Sequence, residues 1–385
     1  MRVGRMVREL VEGCSEGVHS ARLAAVVKVT EGVVRGGRLS PATIGRNLPG
    51  TARPKHGIKC VGRLLGSVEA QDRLFVFLAL SYRLLRGCDR PVVLVDWTHV
   101  GEAQNALVAA VPIGGRALPI YVEVHPESKL GNAAAEARFL CTLKAILPPE
   151  CRPVVVSDAG FKGPFFEEIL KLGWHFVGRI RGTAKAISVA SGQTLSKEEL
   201  YARATITPTE LGAFELFVAQ RIPCRLVLVR KRRKPGRRPP PPRCKEEREL
   251  RQAALDPWLL ATSLPNGDDA SRVVSLYAKR MQIEETFRDA KNHRFGWSLG
   301  DVSISTPART AALLVLAALA ITVVTLIGMA AERRQLHRAY QANTYRRRVL
   351  SFFVLAGAII RHGRNDIPIE DFCVSLASIS KVVTA

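Results

Sequence analysis

The stretch from Pro91 to Ile180 constrains the fold more than any other part of this sequence, because it is a series of short, strongly apolar runs. Three such runs come first, at 92–96, 106–111 and 118–124. Gly114, Gly115 and an arginine separate the second run from the third, as the turn of a β-hairpin would. The runs therefore predict three neighbouring antiparallel strands.

Helices and strands alternate after these three runs. The pattern predicts a helix over 133–147, a buried strand over 154–158, a helix over 164–172 and a further strand over 175–180. Three strands, one helix and then strands alternating with helices is the order of elements in a ribonuclease-H-like fold. We therefore expect an α/β protein with a ribonuclease-H-like mixed sheet as its core.

The regions on either side of this core are helical in pattern. Residues 1–88 combine helical periodicity with basic side chains throughout, which predicts a helical DNA-binding domain, although a helical lid without DNA contact has the same pattern. We take 89–300 as the catalytic domain. Residues 301–385 form a helical C-terminal region and are a candidate for dimerisation.

An insertion interrupts the order of the core at 183–255. Apolar runs at 205–207, 213–218 and 224–229 predict a β-rich subdomain there. A stretch of arginines, lysines and prolines follows at 230–248, and such a stretch cannot bury itself. It reads either as a mobile loop drawn to phosphates or as a solvated charge run without a ligand.

The charge balance points to a polyanion as partner. The 385 residues include 57 Lys and Arg against 34 Asp and Glu, which gives a formal net charge of +23. A basic protein of this length gains affinity for nucleic acid by releasing condensed counterions. The eight cysteines are scattered without zinc-site spacing, and the N-terminus lacks the apolar stretch of a secretory signal. We therefore expect a cytoplasmic, nucleoid-associated protein that binds DNA.

Residues 310–331 carry no charged side chain, and the run is long enough to cross a bilayer. A basic, membrane-anchored protein is therefore an alternative. The run is rich in Ala and Thr, however, and it has no aromatic belt. A helix buried on all sides by its own protein has the same composition, and we favour that interpretation.

An aspartate follows each of two apolar strands. Asp96 comes after Val-Val-Leu-Val, and Asp158 comes after Val-Val-Val-Ser. A buried carboxylate is costly unless it is paired or binds a metal ion. If the two strands are neighbours, both carboxylates reach one end of the sheet, where they could hold Mg²⁺. Taken alone, either aspartate is better explained as a turn residue after its strand.

A third acidic residue lies between Tyr277 and Lys291. On a continuous helix, Arg280, Glu284 and Lys291 would share one face with Tyr277, because they follow it by three, seven and fourteen residues. One acid among cationic and aromatic residues suits a metal-bound phosphate and its DNA strand. A solvated amphipathic helix shows the same alternation of charges. Glu285, the rival acid, would point about 100° away.

These four residues match the pattern Y-x2-R-x3-E-x6-K, and here the chain resembles the DDE transposases of insertion-sequence family four. Four residues at roughly 5% frequency each would match by chance about once in 10⁵ positions. The resemblance covers about residues 40–362. It extends to 95–98, 157–161, 258–263, 343–345 and 349–351.

The resemblance implies a reaction and a set of residues for it. Asp96, Asp158 and Glu284 would be the catalytic triad and would ligate two Mg²⁺ ions about 4 Å apart, which Mn²⁺ can replace. One ion would activate water or a 3′-hydroxyl, and the other would stabilise the leaving oxygen. Tyr277 and Lys291, together with the signature arginine at 280, would contact phosphates or the DNA strand.

Two more residues are candidate DNA contacts. Arg288 lies one helical turn beyond Glu284 and could reach another phosphate. Trp258 is a candidate for base stacking, and a buried core position is an equal alternative. We interpret His99, His125 and Trp174 as packing or surface residues, because the sequence shows no partner for them.

The resulting prediction is a metal-dependent cut-and-paste DNA transposase. It would bind terminal inverted repeats through its N-terminal helices, join them to a target duplex, and act as a homodimer in the DNA complex. The alternative from another class is a catalytically silent, transposase-derived DNA-binding protein.

Overall fold

The computed structural model describes residues 3–12, 19–101, 103–182, 185–217, 219–231, 241–242, 244–245, 247–248, 251, 255–294, 296–302, 304, 306–363 and 366–384. Two compact units make up the chain. The first contains Met1–Pro153 and Met281–Ala385, and the second contains Val154–Arg280. Most of the predicted basic loop at 230–248 lies outside the described residues.

Among its described residues, the first unit begins with five α-helices, continues into three strands and an α-helix, and ends with four α-helices. Its N-terminal part contains α1 (Val3–Val11), α2 (Ser20–Gly36), α3 (Pro41–Arg46), α4 (Pro54–Ser67), α5 (Ala70–Leu85), β1 (Val92–Gly101), β2 (Gln104–Ile113), β3 (Arg116–Pro126) and α6 (Ala133–Ile146). After the second unit come, in our numbering, α10 (Met281–Lys291), α11 (Pro307–Arg333), α12 (Phe352–His362) and α13 (Ile369–Val382).

The three strands of the first unit form the predicted antiparallel meander, in the order β3-β2-β1. Gly114 and Gly115 make the β2–β3 turn, and both have positive φ, which glycine adopts without strain. Every residue of β2 is buried. Tyr121 of β3 packs against Phe77 of α5 and Phe139 of α6, so these helices cover one face of the meander.

The apolar run at 310–331 lies inside α11, the long helix of the first unit. By length and composition this helix could cross a membrane, but 94% of its most apolar window is buried in the protein. It packs against β3, α2, α12 and α13. Because other elements cover it on all sides, the helix has no polar face. The predicted buried helix is confirmed.

The second unit contains the other strands that the structure describes. Its elements are β4 (Val154–Ser157), α7 (Gly163–Lys171), β5 (His175–Arg179), β6 (Ala186–Ser188), β7 (Thr194–Leu195), α8 (Lys197–Ala202), β8 (Thr209–Leu216), β9 (Ile222–Val229), β10 (Trp258–Thr262) and α9 (Ala270–Ala278). The strand order is β4-β5-β10-β9-β8-β6-β7. Strands β4 and β5 are parallel and the other pairs are antiparallel, so this sheet is mixed, and the predicted mixed α/β class is confirmed.

The predicted strand at 205–207 is wrong. Thr205 Oγ1 donates to the Thr207 carbonyl at 2.6 Å, and Thr209 Oγ1 donates to the same oxygen at 3.2 Å. Hydroxyl bonds of this kind stabilise a turn in place of a strand ladder. Pro208 follows, and strand β8 begins only at Thr209.

Candidate active site

Asp96 lies in the middle of β1, and not at the end of its strand as predicted from the apolar run. The strand continues because residues up to His99 pair with β2, where Asp96 faces Val108 and His99 faces Asn105. The residues after Asp96 are more exposed, which explains why the apolar pattern ends early. Asp96 itself is only 9% exposed.

Lys291 lies beside Asp96 in the first unit. Asp96 and Thr98 are two residues apart in β1 and therefore project from the same face. Lys291 Nζ, at the end of α10, donates a hydrogen bond of 2.7 Å to Thr98 Oγ1. Burial lowers the pKa of Lys291, and the negative charge of Asp96 opposes that shift. A cation is thus held next to the first predicted catalytic carboxylate.

Helix α10 carries Glu284 in its first turn, where a negative charge interacts favourably with the helix dipole. Glu284 and Lys291 are seven residues apart, two helical turns, and so share a face. Thr286 fixes the helix to β3, since its Oγ1 accepts from the Ala117 N–H at 2.7 Å and donates to the Ala117 carbonyl at 3.0 Å.

The rival acid Glu285 is committed to ion pairs. Its Oε2 lies 2.9 Å from Arg288 Nη1 and 3.8 Å from Arg116 Nη1. Arg116 also binds Asp289, at 2.6 Å. Glu285 therefore serves to hold α10 on the β2–β3 hairpin, and Arg288, although exposed, has part of its charge neutralised.

Asp158 belongs to the second unit and directly follows β4, as predicted. Its Oδ1 accepts a hydrogen bond of 2.8 Å from the Gly160 N–H, which makes it the first residue of a tight turn. The carboxylate is half-buried. Strand β4 positions it, because the strand is buried throughout and pairs in parallel with β5.

Tyr277 lies near Asp158 in the same unit. Tyr277 is 3% exposed, and burial raises the pKa of its hydroxyl. Asp158 adds to this shift, while Arg280 and Arg179 oppose it. The Arg280 guanidinium stands 5.9 Å from the Tyr277 ring centroid. A phenol thus lies near the second predicted catalytic carboxylate, and two guanidinium groups lie near that phenol.

Trp258 is buried next to Tyr277. The two ring centroids are 4.7 Å apart at an interplanar angle of 81°, and Lys231 Nζ lies 3.7 Å above the indole. Trp258 is 8% exposed. This packing favours the core alternative, and base stacking by Trp258 stays a prediction.

The four signature residues do not share one helix face, which corrects the sequence-based expectation. Helix α9 ends at Ala278, and Arg280 lies in a turn before α10 begins at Met281. The turn is tight because Lys279 N bonds to Leu276 O and Arg280 N bonds to Tyr277 O, each three residues back. Of the four residues, only Glu284 and Lys291 lie on the same helix.

Sequence reasoning missed several residues around these groups. Thr98 could have been found from strand alternation, because it lies two residues after Asp96. Arg179 is 9% exposed and close to Tyr277, and nothing in the sequence indicated this. His125, taken as a packing or surface residue, is buried with its Nε2 2.9 Å from Glu123 Oε2.

The carboxylates have the donor chemistry that Mg²⁺ prefers, namely hard oxygen ligands. Asp96 and Glu284 are in the first unit and Asp158 is in the second. In the part of the chain that the structure describes, no three His, Cys, Asp or Glu side chains form a group that could hold a metal ion. The sharing of metal ions by the triad therefore stays a prediction.

Comparison with known proteins gives a family match and a structural similarity. Residues 87–323 match the family model described as "Transposase DDE domain". A cryo-EM structure of a piggyBac transposase synaptic complex with hairpin DNA aligns with 98% of this chain and 83% of its own, at 10% sequence identity and a TM-score of 0.42. No relative was found among proteins with curated functions.

Proposed function

This chain belongs to the DDE transposase family, and we propose that it is an insertion-sequence transposase that cleaves the ends of its element and joins them to target DNA. Membership of the family supports DNA transposition in general. The cut-and-paste route, the insertion-sequence type with the Y-R-E-K signature, and the two-metal reaction are parts of the proposal.

The observation that carries the proposal is the contact between the signature lysine and the strand of the first aspartate. Lys291 Nζ bonds to Thr98 at 2.7 Å and interacts electrostatically with Asp96. Lys291 and Asp96 are far apart in sequence, and each was singled out by a separate motif. Their proximity is what a common site for carboxylate and phosphate chemistry requires.

Asp96, Asp158 and Glu284 would hold the metal ions in this proposal. Divalent ions bound there supply activation of the attacking hydroxyl and neutralisation of charge on the leaving oxygen. Lys291, held by Thr98, would orient a phosphate of the cleaved strand. Tyr277, near Asp158, and Arg280, beside Tyr277, would contact the same strand or a neighbouring phosphate, and Arg288 would add a further contact.

The proposal includes a ribonuclease-H-like core, supported by the order of three antiparallel strands, a helix, and then a strand–helix–strand unit with parallel strands. It also includes inverted-repeat binding by the N-terminal helices, a homodimer in the DNA complex, and action at the nucleoid in the cytoplasm.

A cleavage assay tests the proposed function. Purified protein and Mg²⁺ or Mn²⁺ are mixed with labelled DNA that carries the inverted repeats flanking the gene. We expect nicking and strand joining, and we expect Asp96→Ala, Asp158→Ala and Glu284→Gln each to abolish both while DNA binding survives.

Glu285→Gln is the matched control, because it removes the charge of the neighbouring acid while the Arg116–Asp289 ion pair and the Thr286 hydroxyl still hold the helix in place. This variant should retain cleavage. Normal cutting by Glu284→Gln would refute the site assignment. Specific binding of the ends by the wild-type protein, with no cleavage in either metal, would favour the silent DNA-binding alternative.

A further inference from the structure

A basic cavity lies in the first unit, immediately after the signature helix. It has a volume of about 310 Å³, against the roughly 30 Å³ that one water molecule occupies in the liquid. Its walls come from the end of α2, from residues 293, 294, 296 and 297 after α10, and from one side of α12. None of these residues was assigned a function above.

The lining is strongly cationic. Arg35, Arg38, Arg294 and Arg361 line the cavity together with His293, and no Asp or Glu is among its described lining residues. The four arginine side chains around one concave space repel each other unless an anion is present. Such a lining is selective for negatively charged groups.

The floor of the cavity is rigid. Trp297 is 5% exposed and packs on Phe353 with ring centroids 4.8 Å apart. The Trp297 carbonyl accepts from the Leu39 N–H at 2.9 Å, which ties the segment after α10 to the segment after α2. A fixed frame of this kind keeps the basic side chains close together at low entropic cost.

Stabilisation of the helix ends explains the position of only some of the arginines around the cavity. Arg35 and Arg361 stand in the last turns of α2 and α12, where cations offset the helix dipole, and Arg35 also pairs with Glu31 at 2.5 Å. Arg38 and Arg294 are outside the helices, and neither makes an ion pair with any described residue. Both are exposed at the mouth of the cavity.

Glycines give access to the interior. The helix α12 presents Gly357 to the cavity, and a Cβ built there would lie 3.3 Å from Arg361 Nη1. The guanidinium of Arg361 therefore lies over the glycine, within the space that a larger side chain would fill. A group entering the cavity on this side meets the helix backbone and the Arg361 guanidinium, beside the apolar floor.

We propose that this cavity binds phosphate groups of the DNA backbone and extends the DNA path beyond the end of α10. The choice of DNA as the source of these phosphate groups rests on the proposed function. Arg294 is three residues after Lys291, so the cavity begins close along the chain to the proposed strand contact. The alternative source of the same chemistry is free phosphate.

The first test measures binding of a labelled DNA duplex of arbitrary sequence, with EDTA present, over a range of salt concentrations. The slope of log affinity against log salt concentration is negative, and each lost phosphate contact makes it less negative by about 0.9. We expect the double variant Arg38→Ala/Arg294→Ala, which loses two contacts, to make that slope less negative by about 1.8. An unchanged slope would overturn the proposal.

Two further variants distinguish the effect of the cavity on DNA binding from the effect of the protein's net charge. Lys144→Ala removes an exposed cation on α6 of the same unit, outside the N-terminal helices, and should change the slope by less than half of one contact, about 0.4. Gly357→Leu fills the cavity without changing charge and should weaken DNA binding as the arginine variants do. Full binding by a folded Gly357→Leu protein would show that the cavity is not the site.

Inorganic phosphate distinguishes the two sources. At constant ionic strength we expect it to compete with DNA only weakly and without saturation. Saturable binding of inorganic phosphate that depends on Arg38 and Arg294, together with unchanged DNA binding in the double variant, would reassign the cavity to a free phosphate. Because the assay contains EDTA, its outcome is independent of cleavage, which tests the proposed function separately.

Discussion

The hydroxyl of Thr286 makes a sharp prediction, because one atom satisfies two backbone groups of another element. Its Oγ1 bonds to both the N–H and the C=O of Ala117 in β3, at 2.7 and 3.0 Å. Thr286 is 4% exposed and Ala117 is fully buried. Thr286→Val keeps the shape of the side chain and leaves a buried N–H without its acceptor, at a cost of about 1–3 kcal/mol.

The assay is thermal or urea unfolding of the full chain. For a unit of this size, a loss of 1 kcal/mol lowers Tm by roughly 2–4 °C, so Thr286→Val should lower Tm by about 2–12 °C. Because the same helix carries Glu284 and Lys291, its loosening should also reduce cleavage at temperatures where the protein is still folded.

Thr322→Val is the matched control. Thr322 is fully buried in α11, and its Oγ1 donates at 2.9 Å to the Ala318 carbonyl of the same helix. Its removal leaves no N–H unsatisfied, so we expect a change below about 0.5 kcal/mol. Equal Tm values for Thr286→Val and Thr322→Val would refute the idea that Thr286 anchors α10 to the sheet.

Three other predictions follow from the contacts of Lys291, Gly328 and the carboxylates. Burial lowers the pKa of Lys291, so the folded protein binds the Lys291 proton less tightly than the unfolded chain does. Lys291→Met should therefore keep or raise Tm near neutral pH while it abolishes cleavage. A large loss of Tm would contradict this. Gly328→Ala should destabilise by about 1–3 kcal/mol in urea unfolding, because the new Cβ would stand 2.4 Å from the Phe352 carbonyl oxygen, whereas Gly357→Ala, which meets only the tip of Arg361, should not. Removal of divalent ions with EDTA should stop cleavage in a gel assay and leave binding of the ends intact, and cleavage that persists would rule out the metal-dependent reaction.

Sequence patterns were sufficient for the core strands of the first unit. The apolar runs and the Gly114–Gly115 turn predicted β1, β2 and β3, because a buried antiparallel meander requires short apolar runs and a turn whose residues adopt positive φ. The strand end at Asp96 was misplaced for the same reason, since pairing with β2 continues through residues that are no longer fully buried.

Local hydrogen bonds account for the other errors. No glycine or proline marks the break between α9 and α10, which depends on two bonds to carbonyls three residues back. Likewise, Thr205 has the β-branched side chain typical of a strand, and its hydroxyl instead bonds within a turn. Spacing alone identified Glu284 and Lys291 as neighbours on a face, and the distant contact of Lys291 with Thr98 required the fold.

The route of the chain through the two units has a consequence for its biosynthesis. The second unit is one continuous segment, Val154–Arg280, and can fold as soon as it leaves the ribosome. The first unit has to wait, because β3 needs α10 and α11 to cover its other face, and both are translated later. Nascent protein therefore exposes one side of a three-stranded sheet until α10 and α11 have been translated, and aggregation through that exposed face is a hazard during this interval.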